Sequence, residues 1–385
     1  MRLALWTPRP DAAWVVALLP LLRREAEVVL VSGAEPGPPG ADLHLYHVAD
    51  DPAHVFVHRA LRLQPGLVLL ADWGLHRLVR AGTEGDVWAY LAEARRAHGE
   101  KGTFVARQVA RGLGGELLPA LLTLNDRVLE ASLGLVAFTE YVRARAATRL
   151  PGRHVTHLPL DFVGSGGALP GREAARAALG VPESEALVAA LTPQSLDTVA
   201  RARTGAHVVV RPWREDEASL LLAAADVAVA LEHPVGGGLP PSLARALAAG
   251  LPTLVSAGSA AAAEMEDGVV VKVSPGPTEA VELVALLDRL LGDATLSRRV
   301  GALARAHADA RRDPAPAAAA LLALARDASR TAPEALRAFA ADRAAEGTLL
   351  GWALEEVRGG ARDLGLVGLP LGLEPLVGPL LGGAR

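Results

Sequence analysis

The chain has 385 residues, 51% of them hydrophobic, with 39 basic against 43 acidic side chains for a formal charge of −4. That length suits two domains that each bury a core, and that hydrophobicity excludes a largely disordered chain. The balanced charge argues against a nucleic-acid partner, which needs a clustered basic surface, and the lack of cysteine excludes disulfides, thiolate catalysis and Cys-ligated zinc.

Short apolar runs alternate with helical patterns from the start. Residues 2–6 read as a strand, and 11–24 as a helix, with Val15, Leu18, Leu19 and Leu22 at i, i+3, i+4, i+7. A strand at 27–32 precedes the turn-rich GAEPGPPG, followed by a strand at 43–47, a helix at 54–62 and a strand at 67–71. Residues 87–132 read as a long, mostly helical stretch, with strands at 133–138 and 154–159 after it. The glycine-rich DFVGSGGALPG, 161–171, reads as an inter-domain linker. Strands then recur at 185–191, 207–210, 227–230, 253–256 and 269–273 with helices between most of them, and 314–326 and 333–358 read as helical.

This alternation predicts βαβ units and parallel sheets. The fold class is therefore α/β, with two Rossmann-like domains whose parallel sheets face a central cleft. Open parallel sheets take ligands at the C-terminal ends of their strands. Pro8 and Pro10 interrupt the apolar start, so no signal peptide is expected and the cytoplasm is the expected location. The apolar tail 364–381 carries only Glu374 as a charge, but Pro370, Pro375 and Pro379 argue against a membrane span. Membrane association is expected to be peripheral at most. Two lysines, one asparagine and no isoleucine fit the coding bias of a GC-rich bacterial genome.

Three constellations carry candidate chemistry. In Glu232-His-Pro-Val-Gly236-Gly237-Gly238-Leu239, three glycines ahead of a helix let backbone N–H groups approach an anion, and Pro240 and Pro241 suit a first helical turn. The competing reading is a flexible loop that caps a helix. Arg211, after a strand, is placed to fork onto a phosphate or to sit in a solvated turn paired with Glu215 or Asp216. His47 and Asp72 stand at strand ends facing the cleft, where they would bind or deprotonate an acceptor hydroxyl or simply close a strand; His44 reads as structural, and His76 lies in the same half. No Walker A, GxSxG or early GxGxxG sequence supports a kinase, serine hydrolase or dehydrogenase, and no HExxH spacing supports a metal.

Several segments together resemble the GT-B nucleotide-sugar glycosyltransferases of family 4. REAARAALGVPESEALVAAL (172–191), LLLAAADVAVALEHPVGGGLPPSLARALAAGLPTLVS (220–256) and GDATLSRRVGALARAHA (292–308) resemble their donor domain. YHVADDPAH (46–54), LADWGLHRLV (70–79) and FTEYVRARAATRLPGRHVTHLPL (138–160) resemble the acceptor domain of a bacterial subgroup. The resemblance implies an acceptor-side domain at 1–160, a donor domain at 161–310, and C-terminal helices with an apolar tail at 311–385 that pack at the junction or on the first half. It implies hexosyl transfer from a nucleotide diphosphate-sugar to a glycan, lipid or protein acceptor, with retention and with neither metal nor cofactor. Gly236, Gly237, Gly238 and Leu239 would hold the diphosphate with Arg211 and Glu232 nearby, and His47 and Asp72 would face the acceptor.

The chain departs from that family's pattern at several points. Its donor site carries two glutamates seven residues apart, and the matching positions here are Gly237 and Arg245. The expected lysine is missing from 191–204, the stretch from 191 to 210 is short, the first glycine-rich loop is replaced by TPRPDAAW, and Ala71 stands where the subgroup has histidine. A catalytically inactive relative that acts as a binding or scaffold subunit is therefore the competing expectation. A sugar-phosphate binder or epimerase on the same architecture is a third.

Overall fold

The structure is a computed structural model, and it describes residues 1–33, 40–113, 115, 117–151, 153–160, 168–201, 208–232 and 236–345. Most of the GAEPGPPG turn, linker residues 161–167, His207, residues 233–235 of the glycine-rich segment and everything after 345, the apolar tail included, lie outside the described residues.

The first sheet is built by β1 (Arg2–Trp6), β2 (Glu27–Val31), β3 (Leu43–Val48), β4 (Gly66–Leu70), β5 (Ser132–Ala137) and β6 (Val155–His157), in the order β2-β1-β3-β4-β5-β6. Its strands pair in parallel throughout. The helices between them are α1 (Ala13–Glu25), α2 (Val55–Leu63), α3 (His76–Gly82), α4 (Val87–Ala110), α5 (Leu117–Ala120), α6 (Asp126–Glu130) and α7 (Glu140–Arg149). Every residue of β3 and β4 is buried, which is why β4 is apolar on both faces rather than alternating and why the two histidines of β3 are hydrogen-bonded. Gly66 opens β4 because a Cβ there would overlap the His44 carbonyl and press on the Tyr46 ring.

The second sheet holds β7 (Ala186–Ala190), β8 (Val208–Pro212), β9 (Val227–Ala230), β10 (Thr253–Ser256) and β11 (Val271–Val273) in the parallel order β11-β10-β9-β7-β8. It is flanked by α8 (Arg172–Leu179), α9 (Pro193–Arg201), α10 (Ala218–Ala224), α11 (Pro241–Ala248), α12 (Ala260–Glu264), α13 (Glu279–Gly292) and α14 (Ala294–Ala310). In each sheet the strand order reverses beside the first strand, between β1 and β3 and between β7 and β9. These two switch points open crevices at the C-terminal strand ends. The molecule is thus an α/β protein of two Rossmann-like domains, the layout that the GT-B resemblance implies.

The mostly helical stretch expected at 87–132 is found, divided into α4, α5 and α6. At Gly99, inside α4, the backbone turns left-handed (φ 64°), and a Cβ on Gly102 would overlap the Ala94 carbonyl, so the chain doubles back on itself. Leu124 (φ 47°) then separates α5 from α6, and β5 begins at Ser132.

The last described helix, α15 (Ala315–Ala345), returns to the first domain. Ala317, Ala318, Leu321, Leu322, Ala325 and Ala328 join the core formed by Leu3, Leu5, Trp14, Leu18, Leu43 and Leu45. The alanines on this face let the helix lie close to α1, since helix separation follows the size of the contacting side chains. No helix among the described residues is long and apolar enough to cross a membrane. Leu321 is 1% exposed, and Leu321→Ala should cost about 2–5 kcal/mol in urea unfolding. The same change at exposed Leu63 should cost less than ~0.5 kcal/mol. Equal losses at the two positions would mean that α15 is not part of the first domain's core.

Candidate functional site

The first switch point is lined by aromatic rings around a histidine. Thr7, just past β1, hydrogen-bonds His47 of β3 (Oγ1 to Nδ1, 3.0 Å), and the Arg9 backbone N–H in turn donates to Thr7 Oγ1 (3.2 Å). The His47 ring packs edge-on to Trp14 of α1 and stacks on Phe138, which follows β5. His54 Nδ1 donates to the His47 carbonyl (2.9 Å). Burial, reinforced by His54 and Arg9, holds the His47 imidazole well below its usual pKa, so it is neutral. One ring nitrogen of such an imidazole donates a hydrogen bond while the other accepts.

One strand over, the chain leaves β4 through Ala71, Asp72, Trp73 and Gly74. Asp72 accepts from the Asp50 backbone N–H at Oδ2 (2.8 Å), and its Oδ1 lies against Gly238. Asp50 itself accepts from the Leu78 N–H (3.0 Å). Burial, with Asp50 beside it, pushes the Asp72 carboxyl up to about 6. Asn125 Nδ2 donates to the Trp73 carbonyl (2.8 Å) and fixes the turn.

Opposite this turn stands the glycine loop of the second domain. The Gly236 carbonyl accepts from the Trp73 N–H (2.9 Å) and the Gly74 N–H (3.3 Å). The Gly237 carbonyl accepts from Thr139 Oγ1 (2.8 Å), and the same hydroxyl caps α7 by accepting from the Val142 N–H (3.2 Å). The Gly236 N–H donates to Glu232 Oε1 (2.9 Å). Burial and nearby Asp72 raise the Glu232 pKa. Only glycine fits here. Gly237 is left-handed (φ 101°) with Trp73 and Tyr141 against the position of a Cβ, and a Cβ on Gly238 would overlap Asp72 Oδ1.

The second switch point is knitted by hydroxyls. Thr192 Oγ1 donates to the Leu231 carbonyl (2.7 Å), the Leu231 N–H donates to Ser195 Oγ (2.8 Å), and the Glu232 N–H donates to Ser256 Oγ (3.0 Å). Ser242, in α11, reaches the Leu191 carbonyl (3.3 Å).

Asp72, Glu232, Gly236, Gly237 and Gly238 therefore come together, with His47 on the neighbouring strand. Leu239 packs on the second domain's core rather than facing the loop's partners. Arg211 is exposed, and its Nη2 donates to the Leu179 carbonyl (2.9 Å) at the end of α8. Arg245 pairs with Glu215 and lies over the Trp213 ring. His44 accepts from Trp6 Nε1 (2.9 Å), and His76 bonds the Tyr90 hydroxyl (2.9 Å), so both are tied into the core. Sequence reasoning missed Thr139, although Thr-Glu-Tyr-Val ahead of an amphipathic run is a legible N-cap. It also missed Ser195 and Ser256, whose roles depend on strand neighbours. Among the described residues, no group of three His, Cys, Asp or Glu side chains is placed to hold a metal ion.

No family model matches the chain, and no curated protein matches it. Its structure is similar to WaaG, a glycosyltransferase involved in lipopolysaccharide biosynthesis, at 16% identity and TM-score 0.47 over 83% of this chain and 98% of that one. It is similar to sucrose-phosphate synthase from Thermosynechococcus elongatus at 15% identity and TM-score 0.49, over 85% of this chain and 98% of that one. It is also similar to Anabaena HepE in complex with UDP at 15% identity and TM-score 0.49, over 85% of this chain and 99% of that one.

Asp72 makes a pH-dependent contribution to stability. Its folded pKa of about 6 lies above the ordinary carboxylate value, so the folded state binds more protons than the unfolded state in between. This contribution is complete below about pH 4 and is lost as the pH rises through 6. In urea unfolding between pH 4.5 and 7.5, the wild type should lose stability relative to Asp72→Asn as the pH rises. Parallel pH profiles for the two proteins would show that the shift is absent.

Proposed function

We propose that the chain is a GT-B-type glycosyltransferase that takes a hexosyl group from a nucleotide diphosphate-sugar. The donor would lie at the β7/β9 switch point, and a glycan, lipid or protein acceptor would lie at the β1/β3 switch point. The support is the Gly236–Gly238 loop, whose backbone N–H groups stand between the two sheet edges ahead of α11. Clustered N–H donors of this kind suit diphosphate oxygens. On the acceptor side, neutral His47 would hydrogen-bond a hydroxyl, and Asp72 would take its proton. We propose retention of configuration, with neither metal nor cofactor beyond the donor itself, and a cytoplasmic location.

A second reading, an inactive relative that binds or scaffolds, is favoured by a specific feature of the same loop. The Gly236 N–H is taken by the chain's own Glu232, and Asp72 lies against Gly238. The positions matching the family's two glutamates hold Gly237 and Arg245, and Arg245 is committed to Glu215. Losing one donor aimed at developing charge costs about 2.7–4 kcal/mol, or 10²–10³ in rate.

The two readings separate in a calorimetric titration with uridine, guanosine, adenosine and thymidine diphosphate-sugars, followed by hydrolysis and transfer assays on each binder. Transfer is the expected result. Glu232→Ala should then lower it by about a hundredfold, and Arg211→Ala should change it little, because Arg211 serves α8. Binding without turnover would establish the inactive reading. No binding by any of these donors would remove both.

A further inference from the structure

The glycine loop does more than approach the first domain: it is hydrogen-bonded to it at two glycines and packed against it at the third. Gly236 receives the Trp73 and Gly74 N–H groups, Gly237 receives the Thr139 hydroxyl, and Gly238 lies against the Asp72 carboxylate. The fit is steric as well as polar, since a side chain on Gly237 would meet Trp73 and Tyr141, and one on Gly238 would strike Asp72. Trp73 is fixed by Asn125, Thr139 by its capping bond to Val142, and Asp72 by the Asp50 N–H. Both halves of the contact are thus pre-set by their own domains before they meet. The Glu232 and Asp72 carboxylates stand beside the loop where an anionic ligand's oxygens would lie.

We propose that Asp72 and the Gly236–Gly238 loop form an inter-domain clasp that keeps anions away from the Gly238 end of the loop until the two domains separate. The clasp stands independently of the transfer reaction; that the anion is a nucleotide diphosphate rests on the function proposed above. While the clasp is shut, the Asp72 carboxylate occupies the space beside Gly238 that a phosphate oxygen would need. When the domains part, Gly238 loses Asp72, and Trp73 and Thr139 release the loop.

The chain has no cysteine, so a dye pair on Leu63→Cys and Val281→Cys, both highly exposed and one in each domain, reports the domain separation by energy transfer without background. Gly238 lacks a positive φ, so Gly238→Ala leaves the loop backbone unstrained and acts as a wedge against Asp72. This wedge should lengthen the inter-dye distance. Asp72→Ala should lengthen it too, and adding Gly238→Ala to Asp72→Ala should do nothing further, because the obstacle is gone. Asp72→Asn keeps a side chain of the same size against Gly238 and should stay nearer the wild-type distance. Thr139→Val removes a single hydroxyl bond and carries the same test should the Asp72 variants fold poorly by circular dichroism. Inorganic pyrophosphate, titrated by calorimetry, should bind Asp72→Ala at least about tenfold more tightly than the wild type, the scale of one charge-assisted hydrogen bond. Unchanged distances in Gly238→Ala and Thr139→Val would overturn the clasp. Longer distances with no gain in pyrophosphate affinity would uphold the clasp as a domain latch, overturn its withholding of anions, and count against the diphosphate reading.

Discussion

A buried carboxylate sets how the two domains meet. The Glu264 side chain, at the end of α12, is 1% exposed. It accepts from the Glu140 backbone N–H at the start of α7 (2.8 Å) and from Arg311 Nη2 (3.0 Å), and His157 Nε2 lies 3.1 Å away. Burying a carboxylate is costly unless opposite charge and donors surround it. Here a guanidinium and a helix N-terminus do so, with an imidazole beside them; the helix start and the imidazole belong to the first domain, the guanidinium to the chain between α14 and α15. The contact is adjacent in sequence to the clasp: Glu140 binds Glu264, and Thr139 just before it binds Gly237. One helix start therefore takes two anchors from the second domain, and a rotation that moves one of them strains the other.

The chain's path reinforces this junction. It enters the second domain after β6 and leaves it after α14, and α15 then completes the first domain's core with Leu321, Leu322 and Ala325. The second domain is in effect an insertion, tethered to the first at both ends. The first domain's stability thus depends on residues far along the chain from the strands they cover. Arg326 with Glu25 adds an exposed ion pair to that contact, worth little beside the apolar burial.

Much of this architecture was legible in the residues. Apolar runs such as LVLL and ALVAA, spaced by amphipathic helices, marked parallel strands because buried strands carry no alternation. The glycines before α11 were legible as a close-approach site, but their partners were not. Trp73 and Thr139 lie in the other domain, and no local pattern encodes such a pairing. For Arg211 the sequence leaves a phosphate contact and a solvated turn both open, because it does not show that β8 is the sheet's edge, where the side chain turns onto Leu179. The helical content of 87–132 was legible, but the turn at Gly99 within it was not. Glu264 sits in AAAAEMEDG, which reads as an ordinary exposed helix end, and only the fold reveals that α7 covers it.

The electrostatics of the loop bear directly on the choice between an active and an inactive protein. Asp50, Asp72 and Glu232 all have raised pKa values, and burial is the main cause in each case. A raised pKa records a carboxylate that its surroundings do not compensate. Arg211, the basic residue the sequence offered for a diphosphate, is spent on Leu179, and Arg245 on Glu215. Two unit charges of like sign at 4 Å repel by about 4 kcal/mol at an effective dielectric of 20, so a diphosphate and an ionised Asp72 exclude each other from the same end of the loop. A working transferase must therefore withdraw Asp72 from Gly238 as the donor arrives, and that withdrawal also sets Asp72 free to act on an acceptor. A scaffold has no such requirement and is served by the closed clasp as it stands. The two functions differ, physically, in whether Asp72 moves.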